Sequence, residues 1–208
     1  MAIAEDNLNG SVVLYDVSWD TYERLLSAFG DRRLPHTYSN GALEIMSPTQ
    51  YHDWLKAFVG RLIEMAAYEL DIPIKSIGST TLRRQMKAKG LEPDECYYVA
   101  NEARVRGKRK LDLKKEPPPD LAVEIEVTRK MLDRLEAYAS LGVPEIWRLD
   151  GTTVTFLKLT RGAYRPIKHS FAFPMLAPAD IARFTTLMEK KDENSILREF
   201  VKWLKSKT

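Results

Sequence analysis

The sequence predicts a mixed α/β (α+β) fold, in which a mixed central β-sheet is flanked by helices. Residues 121–127 alternate apolar and polar side chains, as a half-buried strand does, and residues 129–141 follow with a helical pattern. The chain has 208 residues with 44% hydrophobic content, which suffices for one domain with a real core. Strands and helices in this order pack as helical layers on a sheet.

The first half of the chain is predicted to contain a helix, a hairpin, a long helix and two strands. These lie at residues 18–29, 37–46, 49–70, 74–84 and 91–99. Ser18 suits an N-cap, and apolar residues recur after it at helical spacing. Asn40-Gly41 is a strong turn signal for the hairpin. Leu55, Phe58 and Leu62 mark the buried face of the long helix.

The second half is predicted to contain a strand, a helix, two further strands and two helices. These lie at residues 121–127, 129–141, 145–149, 153–159, 179–188 and 195–205. Gly142 suits the end of the first helix, and Asp150-Gly151 suits the turn between the two strands. The last helix carries an apolar stripe, formed by Ile196, Leu197, Phe200, Val201 and Leu204. This stripe either packs on the protein's own core or forms a two-fold homodimer.

Carboxylates line one side of the strand at residues 121–127. Asp120, Ala122, Glu124 and Glu126 point away from the apolar face, because strand side chains alternate. Carboxylates this close on a half-buried strand repel one another and resist desolvation. A cation would relieve that repulsion, so the row has the character of half a metal site.

Asp94 is the predicted second half of the metal site. It follows Pro93 at the start of the strand at residues 91–99, and it precedes Glu124 by thirty residues. That separation allows two neighbouring strands joined by a basic loop over residues 104–115. Mg²⁺ takes oxygen ligands, usually one or two carboxylates, and retains water molecules. Asp94 and Glu124 therefore predict a site for Mg²⁺ or Mn²⁺.

The ordered motifs resemble the PD-(D/E)XK restriction-endonuclease-like superfamily, and within it the bacterial Uma branch. The resemblance spans roughly residues 35–160 and rests on Pro93-Asp94 and on the runs at 41–52, 119–126 and 137–147. It implies a restriction-endonuclease-like αβββαβ core within a single domain of residues 1–208, with an N-terminal helix and hairpin and C-terminal helices added. It further implies a metal-dependent endonuclease, a hydrolase of phosphodiester bonds, with DNA as the expected partner.

One motif position departs from the superfamily pattern. A lysine usually stands two residues after the glutamate, and this chain has Glu126 there. Lys130 on the following helix is the better replacement cation and Arg134 the runner-up. Two alternatives remain: Glu126 is a further metal ligand, or the protein is a catalytically inactive nucleic-acid-binding or protein-interaction module.

Three other residues are candidate accessory groups of the site. His52 and Glu64 lie on the long helix, where the superfamily often carries an accessory glutamate, and a solvent-facing or structural role is the alternative for Glu64. His52 resembles a histidine of the Uma branch. Asp120 is either a ligand or a residue that starts its strand and stabilises the preceding turn.

Charge and cysteine content restrict the partners and the compartment. The net charge is only +3, but two basic clusters flank the Asp94 strand and are candidates for a phosphate-backbone contact, with solvated loops as the alternative. Their candidate residues are Arg83, Arg84, Arg106, Lys108 and Arg109. The single cysteine, Cys96, excludes an internal disulfide. Without an apolar signal segment or membrane span, the sequence predicts a cytoplasmic protein that does not bind membranes.

Overall fold

A computed structural model describes residues 2–7, 10–30, 32, 34–127 and 132–207. Within these ranges the strands form two six-stranded sheets. Sheet 1 has the order β1-β2-β4-β3-β7-β6 and consists of Ala2–Asn7, Ser11–Tyr15, Ala42–Met46, His36–Ser39, Lys89–Leu91 and Leu82–Arg84. Sheet 2 has the order β12-β11-β10-β9-β8-β5 and consists of Ala163–Ile167, Thr153–Thr160, Glu145–Asp150, Leu121–Glu126, Glu95–Tyr98 and Lys75–Ser76.

The described α-helices are α1 to α6 in chain order. They span Trp19–Phe29, Gln50–Glu69, Glu102–Val105, Arg134–Leu141, Pro178–Thr186 and Glu193–Lys205. Short 3-10 turns lie at Gln85–Lys87 and Leu187–Glu189. None of the helices in the described ranges is long and apolar enough to cross a membrane.

Local sequence signals set the helix ends. Ser18 caps α1 by accepting the Thr21 amide, and Thr49 caps α2 by accepting the His52 amide. Asp133 likewise caps α4, which ends at Gly142 with a φ of 84°. A left-handed φ of this kind favours glycine, because it has no Cβ.

The helices cover both faces of sheet 2. One face carries Leu121, Val123 and Ile125, which pack with α2, α5 and α6 in the largest apolar core. The opposite face carries Ala122 and packs against α4 and the β6–β7 edge of sheet 1. Strands β9 and β10 run parallel while the other neighbours are antiparallel, so sheet 2 is mixed. The mixed α/β fold class is therefore confirmed.

Two predicted strands are each split between the two sheets. Residues 91–99 were expected to form one strand, but Leu91 ends β7 in sheet 1 and Glu95 begins β8 in sheet 2. Pro93 lies in the crossing segment, where it cannot donate to a ladder. The predicted strand at 74–84 is divided in the same way into β5 and β6. The apolar–polar alternation within one segment does not show which sheet each half of that segment joins.

Glu145 has a structural role in the Pro-Glu-Ile-Trp motif at residues 144–147. Its buried carboxylate accepts hydrogen bonds from the Trp147 indole at 2.7 Å and from the amides of Phe171 and Ala172 at 2.9 and 2.8 Å. Burial raises the pKa of Glu145, and these donors oppose that rise. The carboxylate thus fastens the segment before α5 to β10.

His36 is a buried histidine in β3 of sheet 1. Its Nδ1 lies 2.6 Å from the Leu34 carbonyl oxygen, which only accepts, so Nδ1 carries the proton and Nε2 accepts from the Tyr22 hydroxyl at 2.8 Å. Burial is the main reason that the pKa of His36 falls to about 4. The folded protein therefore keeps this ring neutral.

We expect His36 to make the protein less stable as the pH falls from about 6.5 to about 4. In this window the unfolded chain takes up a proton that the folded ring refuses, which costs up to about 1.4 kcal/mol per pH unit. His36→Gln keeps polar groups there without that titration. Denaturant unfolding at several pH values should show a shallower loss in the variant than in the wild type. Equal slopes would contradict the assignment.

Candidate functional site

Asp94 lies directly before β8, and Glu124 lies on the adjacent strand β9 of sheet 2; both are buried. The β8–β9 register pairs Glu95 with Val123; Asp94 immediately precedes Glu95, and Glu124 immediately follows Val123. Asp94 Oδ2 accepts the Ile125 amide at 2.8 Å. This contact holds the Asp94 carboxylate beside the backbone that follows Glu124.

A buried ion pair fixes Glu124. Its Oε1 accepts from the Arg134 guanidinium at 2.7 Å and also from the Tyr138 hydroxyl, so two residues of α4 hold one carboxylate of β9. Arg134 also donates to Thr37 Oγ1 and to the Glu92 carbonyl oxygen, each at 2.7 Å. Arg134 therefore joins α4 to both sheets.

The charge states of α4 follow from these contacts. Burial alone would lower the pKa of Arg134, but the negative charge of Glu124 raises that pKa and, with the other contacts, outweighs burial. The net pKa of Arg134 therefore lies above its usual value. Burial, reinforced by the Glu124 charge, also raises the pKa of Tyr138. Tyr138 consequently stays protonated and donates to Glu124.

His52 extends the cluster from α2. Its Nε2 lies 3.1 Å from Asp94 Oδ1, and its Nδ1 lies 3.2 Å from Asp53 Oδ1. Burial lowers the pKa of His52, but the hydrogen bonds and charges of Asp94 and Asp53 outweigh it, and the net pKa is raised. The structure thus brings His52, a candidate accessory residue, to Asp94.

A small pocket opens between the two sheets at this cluster. Its volume is about 30 Å³. Its wall includes the polar residues Ser11, Glu44, His52, Glu92, Asp94 and Arg134. Glu44, Glu92 and Ser11 were not among the site residues predicted from the sequence. Of the three, Glu44 has the clearest sequence signal, because it is an acid at the centre of the apolar strand Ala42–Met46. In the structure it is fully buried and pairs in register with Thr37.

Other predicted site residues lie apart from the pocket. Asp120 is four residues from Glu124, about 13 Å along the strand. Its carboxylate accepts the amides of Val99 and Asn101 and the Asn101 side chain, which supports the turn role. Glu64 is exposed, and it is twelve residues from His52, about 18 Å along α2. Glu126 Oε2 lies 3.7 Å from Arg148 Nε. Lys130 lies outside the described residues.

The predicted nucleic-acid-binding residues are mostly engaged within the protein. Arg83 pairs with Glu23 at 3.2 Å and Lys108 with Glu116 at 2.7 Å, while Arg106 pairs with Glu102. Arg84 donates to the Leu113 carbonyl oxygen at 2.7 Å. The exposed Arg109 is the fifth member of the set. These pairs leave less positive charge for a phosphate backbone than the sequence clusters indicated.

The pocket supplies oxygen atoms suited to a hard cation. Carboxylates of Glu44, Glu92 and Asp94 line it, and Mg²⁺ favours such ligands. Within the described ranges, however, no group of three or more His, Cys, Asp or Glu side chains is arranged to hold a metal ion. A metal held here would therefore depend on one or two carboxylates and on water.

A family model described as "Uma2: Putative restriction endonuclease" matches residues 19–184, well over half of the chain. The chain belongs to the Uma2 family. Asp94, Glu124, His52 and Arg134 all lie within the matched range, whereas Ser11 precedes it. Restriction-endonuclease-like families generally use divalent metal ions.

A solved structure supports the same fold for this Uma2 protein. It is the crystal structure of a putative nuclease of the DUF820 group from Anabaena variabilis, with a TM-score of 0.52 and 13% sequence identity. The match covers 72% of this chain and 90% of that chain. No curated protein matches the sequence. At this identity the likeness concerns the fold alone.

We expect the protein to be strongly destabilised when one partner of the Arg134–Glu124 pair is removed. Arg134→Met should lower the free energy of unfolding by about 3–5 kcal/mol, because it leaves a buried carboxylate without its guanidinium. Glu124→Gln combined with Arg134→Met should be more stable than Arg134→Met alone, because Gln is neutral and still accepts from Tyr138. Denaturant unfolding of the wild type and of these two variants measures both effects.

Arg83→Met is the matched control for this comparison. Arg83 and Glu23 form an exposed pair, and such pairs contribute about 0–1 kcal/mol. If Arg134→Met were no more destabilising than Arg83→Met, the buried pair would not hold the two sheets together.

Proposed function

We propose that the protein is a metal-dependent nuclease that hydrolyses phosphodiester bonds of nucleic acid, with DNA as the expected substrate. Asp94 lines the polar pocket directly before β8 and accepts the amide of Ile125, the residue after Glu124 in β9, and this arrangement supports the proposal most strongly. The pair occupies the motif positions at which restriction-endonuclease-like proteins carry their acidic residues. Membership of the Uma2 family supports the same function.

We infer that the ion is magnesium or manganese, because such ions take carboxylate oxygens as ligands. Asp94 and Glu124 would hold it, and Mg²⁺ commonly uses one or two carboxylates with water in its other positions. Such an ion supplies Lewis-acid polarisation of the phosphate and activation of water. The close packing of several carboxylates around the pocket would also favour a cation, since it offsets their mutual repulsion.

The chain's own residues prepare the acidic pair for this task. Arg134 and Tyr138 orient Glu124, and His52 and the Ile125 amide orient Asp94. A guanidinium that is buried and bonded to Thr37, Glu92 and Glu124 is poorly placed to contact a phosphate. Arg134 is therefore a positioning residue in this proposal, not the replacement for the absent lysine. Lys130 retains the role of replacement cation.

The alternative is a nuclease-fold protein that binds nucleic acid or another protein without turnover. Glu126 favours it, because it occupies the lysine position and faces Arg148 at 3.7 Å. A carboxylate there would repel a phosphate that a lysine would attract. The two functions differ in whether purified wild-type protein cleaves nucleic acid when Mg²⁺ or Mn²⁺ is added.

We also propose a homodimer formed through α6, whose exposed apolar surface is small. Ile196, Phe200 and Leu204 are buried in the protein's own core against α2 and α5. Leu197 and Val201 are partly exposed and line a shallow groove with Met65. Sedimentation that shows only monomer at micromolar concentration would remove the dimer.

We expect Mg²⁺ or Mn²⁺ to raise the Tm of the wild-type protein. A ligand that binds only the folded state at about one hundred times its Kd adds about 2.7 kcal/mol, which corresponds to several degrees in a protein of this size. Asp94→Asn and Glu124→Gln should each abolish most of the shift. Thermal unfolding with the metal or with EDTA measures it.

Glu64→Gln is the control for metal binding. Glu64 is an exposed acid on α2, distant from the pocket, so its removal should leave the metal-induced shift unchanged. A normal shift in both Asp94→Asn and Glu124→Gln would place the metal elsewhere. A shift lost only in Glu64→Gln would favour the accessory ligand that the sequence predicted.

We expect Lys130→Ala to reduce the cleavage rate by about 10²–10³-fold, the typical loss of one charge stabiliser. Asp94 and Glu124 remain, so the metal-induced Tm shift should be retained. Plasmid, linear and single-stranded DNA and RNA incubated with each metal measure the rate and the substrate class. An inactive wild type that gains cleavage with Glu126→Lys would establish the alternative function.

A further inference from the structure

The edge of sheet 2 at β11 and β12 carries positive charge without acids. Residues 151–177 contain Lys158, Arg161, Arg165 and Lys168 but no Asp or Glu, although the whole chain has almost as many acidic as basic residues. None of these four cations takes part in an ion pair with a described residue. This basic edge therefore keeps its charge, whereas most of the basic residues near Asp94 are engaged within the protein.

Two of these cations face each other across β11 and β12. The strand register places Lys158 directly opposite Arg165, so the two side chains lie on the same face of sheet 2. Like charges that are directly opposite in a sheet destabilise it. A negatively charged ligand beside both residues would offset that repulsion, so the pair favours an anionic partner.

Phe171 adds an aromatic ring to this pair of cations. Lys158 Nζ lies 3.9 Å from the centroid of the ring, in a cation–π contact, yet 58% of the Phe171 surface is exposed. An exposed ring beside cations is the combination that proteins use to bind single-stranded nucleic acid, because bases stack on the ring and phosphates pair with the cations. The basic edge has both parts of this combination.

Glu145 fixes Phe171 in place over Lys158. Its carboxylate accepts the Phe171 amide at 2.9 Å, and the β10–β11 register places Glu145 opposite Lys158. Ser170 Oγ also accepts the Phe173 amide at 2.8 Å, which fixes the loop on both sides of the ring. A ring that is held in place before a ligand arrives loses little conformational entropy on binding.

We propose that the basic edge binds single-stranded nucleic acid, with an unpaired base on Phe171 and phosphates on Lys158 and Arg165. The bases of a duplex remain stacked inside the helix, so they cannot reach an exposed ring as an unpaired base can. The surface is separate from the pocket at Asp94, because β12 is three strands from β9, or about 14 Å. The proposal rests on the substrate class of the proposed function, but binding at this edge requires no cleavage.

Fluorescence anisotropy with a labelled oligothymidylate in EDTA measures binding without cleavage. The double variant Lys158→Gln, Arg165→Gln should lower the slope of log affinity against log salt by about 1.4, because each phosphate contact on a single strand contributes about 0.7. Phe171→Ala should weaken binding about tenfold or more at an unchanged slope, which is the size of a lost base stack. The Tm of the double variant should not fall, since the repulsion between the two cations is removed.

Lys190→Gln is the matched control, because it removes an exposed lysine that has no ion pair with a described residue and lies away from β11 and β12. It should leave both the affinity and the salt slope unchanged. Arg109→Gln tests the competing location in the basic loop at residues 104–115. Binding that is lost in Arg109→Gln and retained in the double variant would place the strand on that loop and overturn the proposal.

Competitors separate single-stranded nucleic acid from other anionic partners. Unlabelled oligothymidylate should displace the labelled strand at lower concentration than polyglutamate or duplex DNA does. Polyglutamate that competes equally well would mean that the edge recognises charge alone, as in a contact with an acidic protein segment. Duplex DNA that binds as tightly as the single strand, with Phe171→Ala unchanged, would exclude the base stack. Either result contradicts the proposal.

The outcomes also separate the basic edge from the proposed function. A wild type that binds through Lys158, Arg165 and Phe171 but cleaves no nucleic acid with Mg²⁺ or Mn²⁺ would overturn the nuclease function alone. A wild type that cleaves nucleic acid, and whose affinity and salt slope are unchanged in the double variant, would overturn the basic edge alone.

Discussion

The structure around the site depends on one buried ion pair. Arg134 and Glu124 are almost completely removed from solvent, and removing a guanidinium and a carboxylate from water costs several kcal/mol for each ion. The cost is offset only when the remaining donors also find acceptors. Thr37 in sheet 1 and the Glu92 carbonyl in the crossing segment supply them, so one side chain requires α4 and both sheets to be in place at once.

Local patterns predicted much of the secondary structure. The alternation in β9 is visible without any partner, because it depends only on side chains two residues apart. Ser18, Thr49 and Gly142 act through contacts within their own turns, which explains why these helix ends were predictable. Asp94 and Glu124 were identified because the acids lie at motif positions near strands.

The remaining features depend on contacts between segments distant in sequence. No local signal shows that residues 75–76 and 82–84 join different sheets, or that Glu44 of one sheet shares a pocket with Asp94 before the other. Arg134 was selected as a cation, but its contacts make it a partner of Glu124 instead of a candidate for phosphate. Its role followed from burial, which a single sequence does not reveal. Ser11 was missed for the same reason.

The crossing segment at residues 92–94 has a consequence for folding kinetics. The pocket combines residues 11, 44, 52, 94 and 134, and the last of these pairs with residue 124, so its assembly requires contacts between widely separated parts of the chain. Contacts of large sequence separation form slowly, because loop-closure entropy is lost before they stabilise the chain. The pocket would therefore form only when the two sheets pack together, so any chemistry of its residues would begin with that last step of folding.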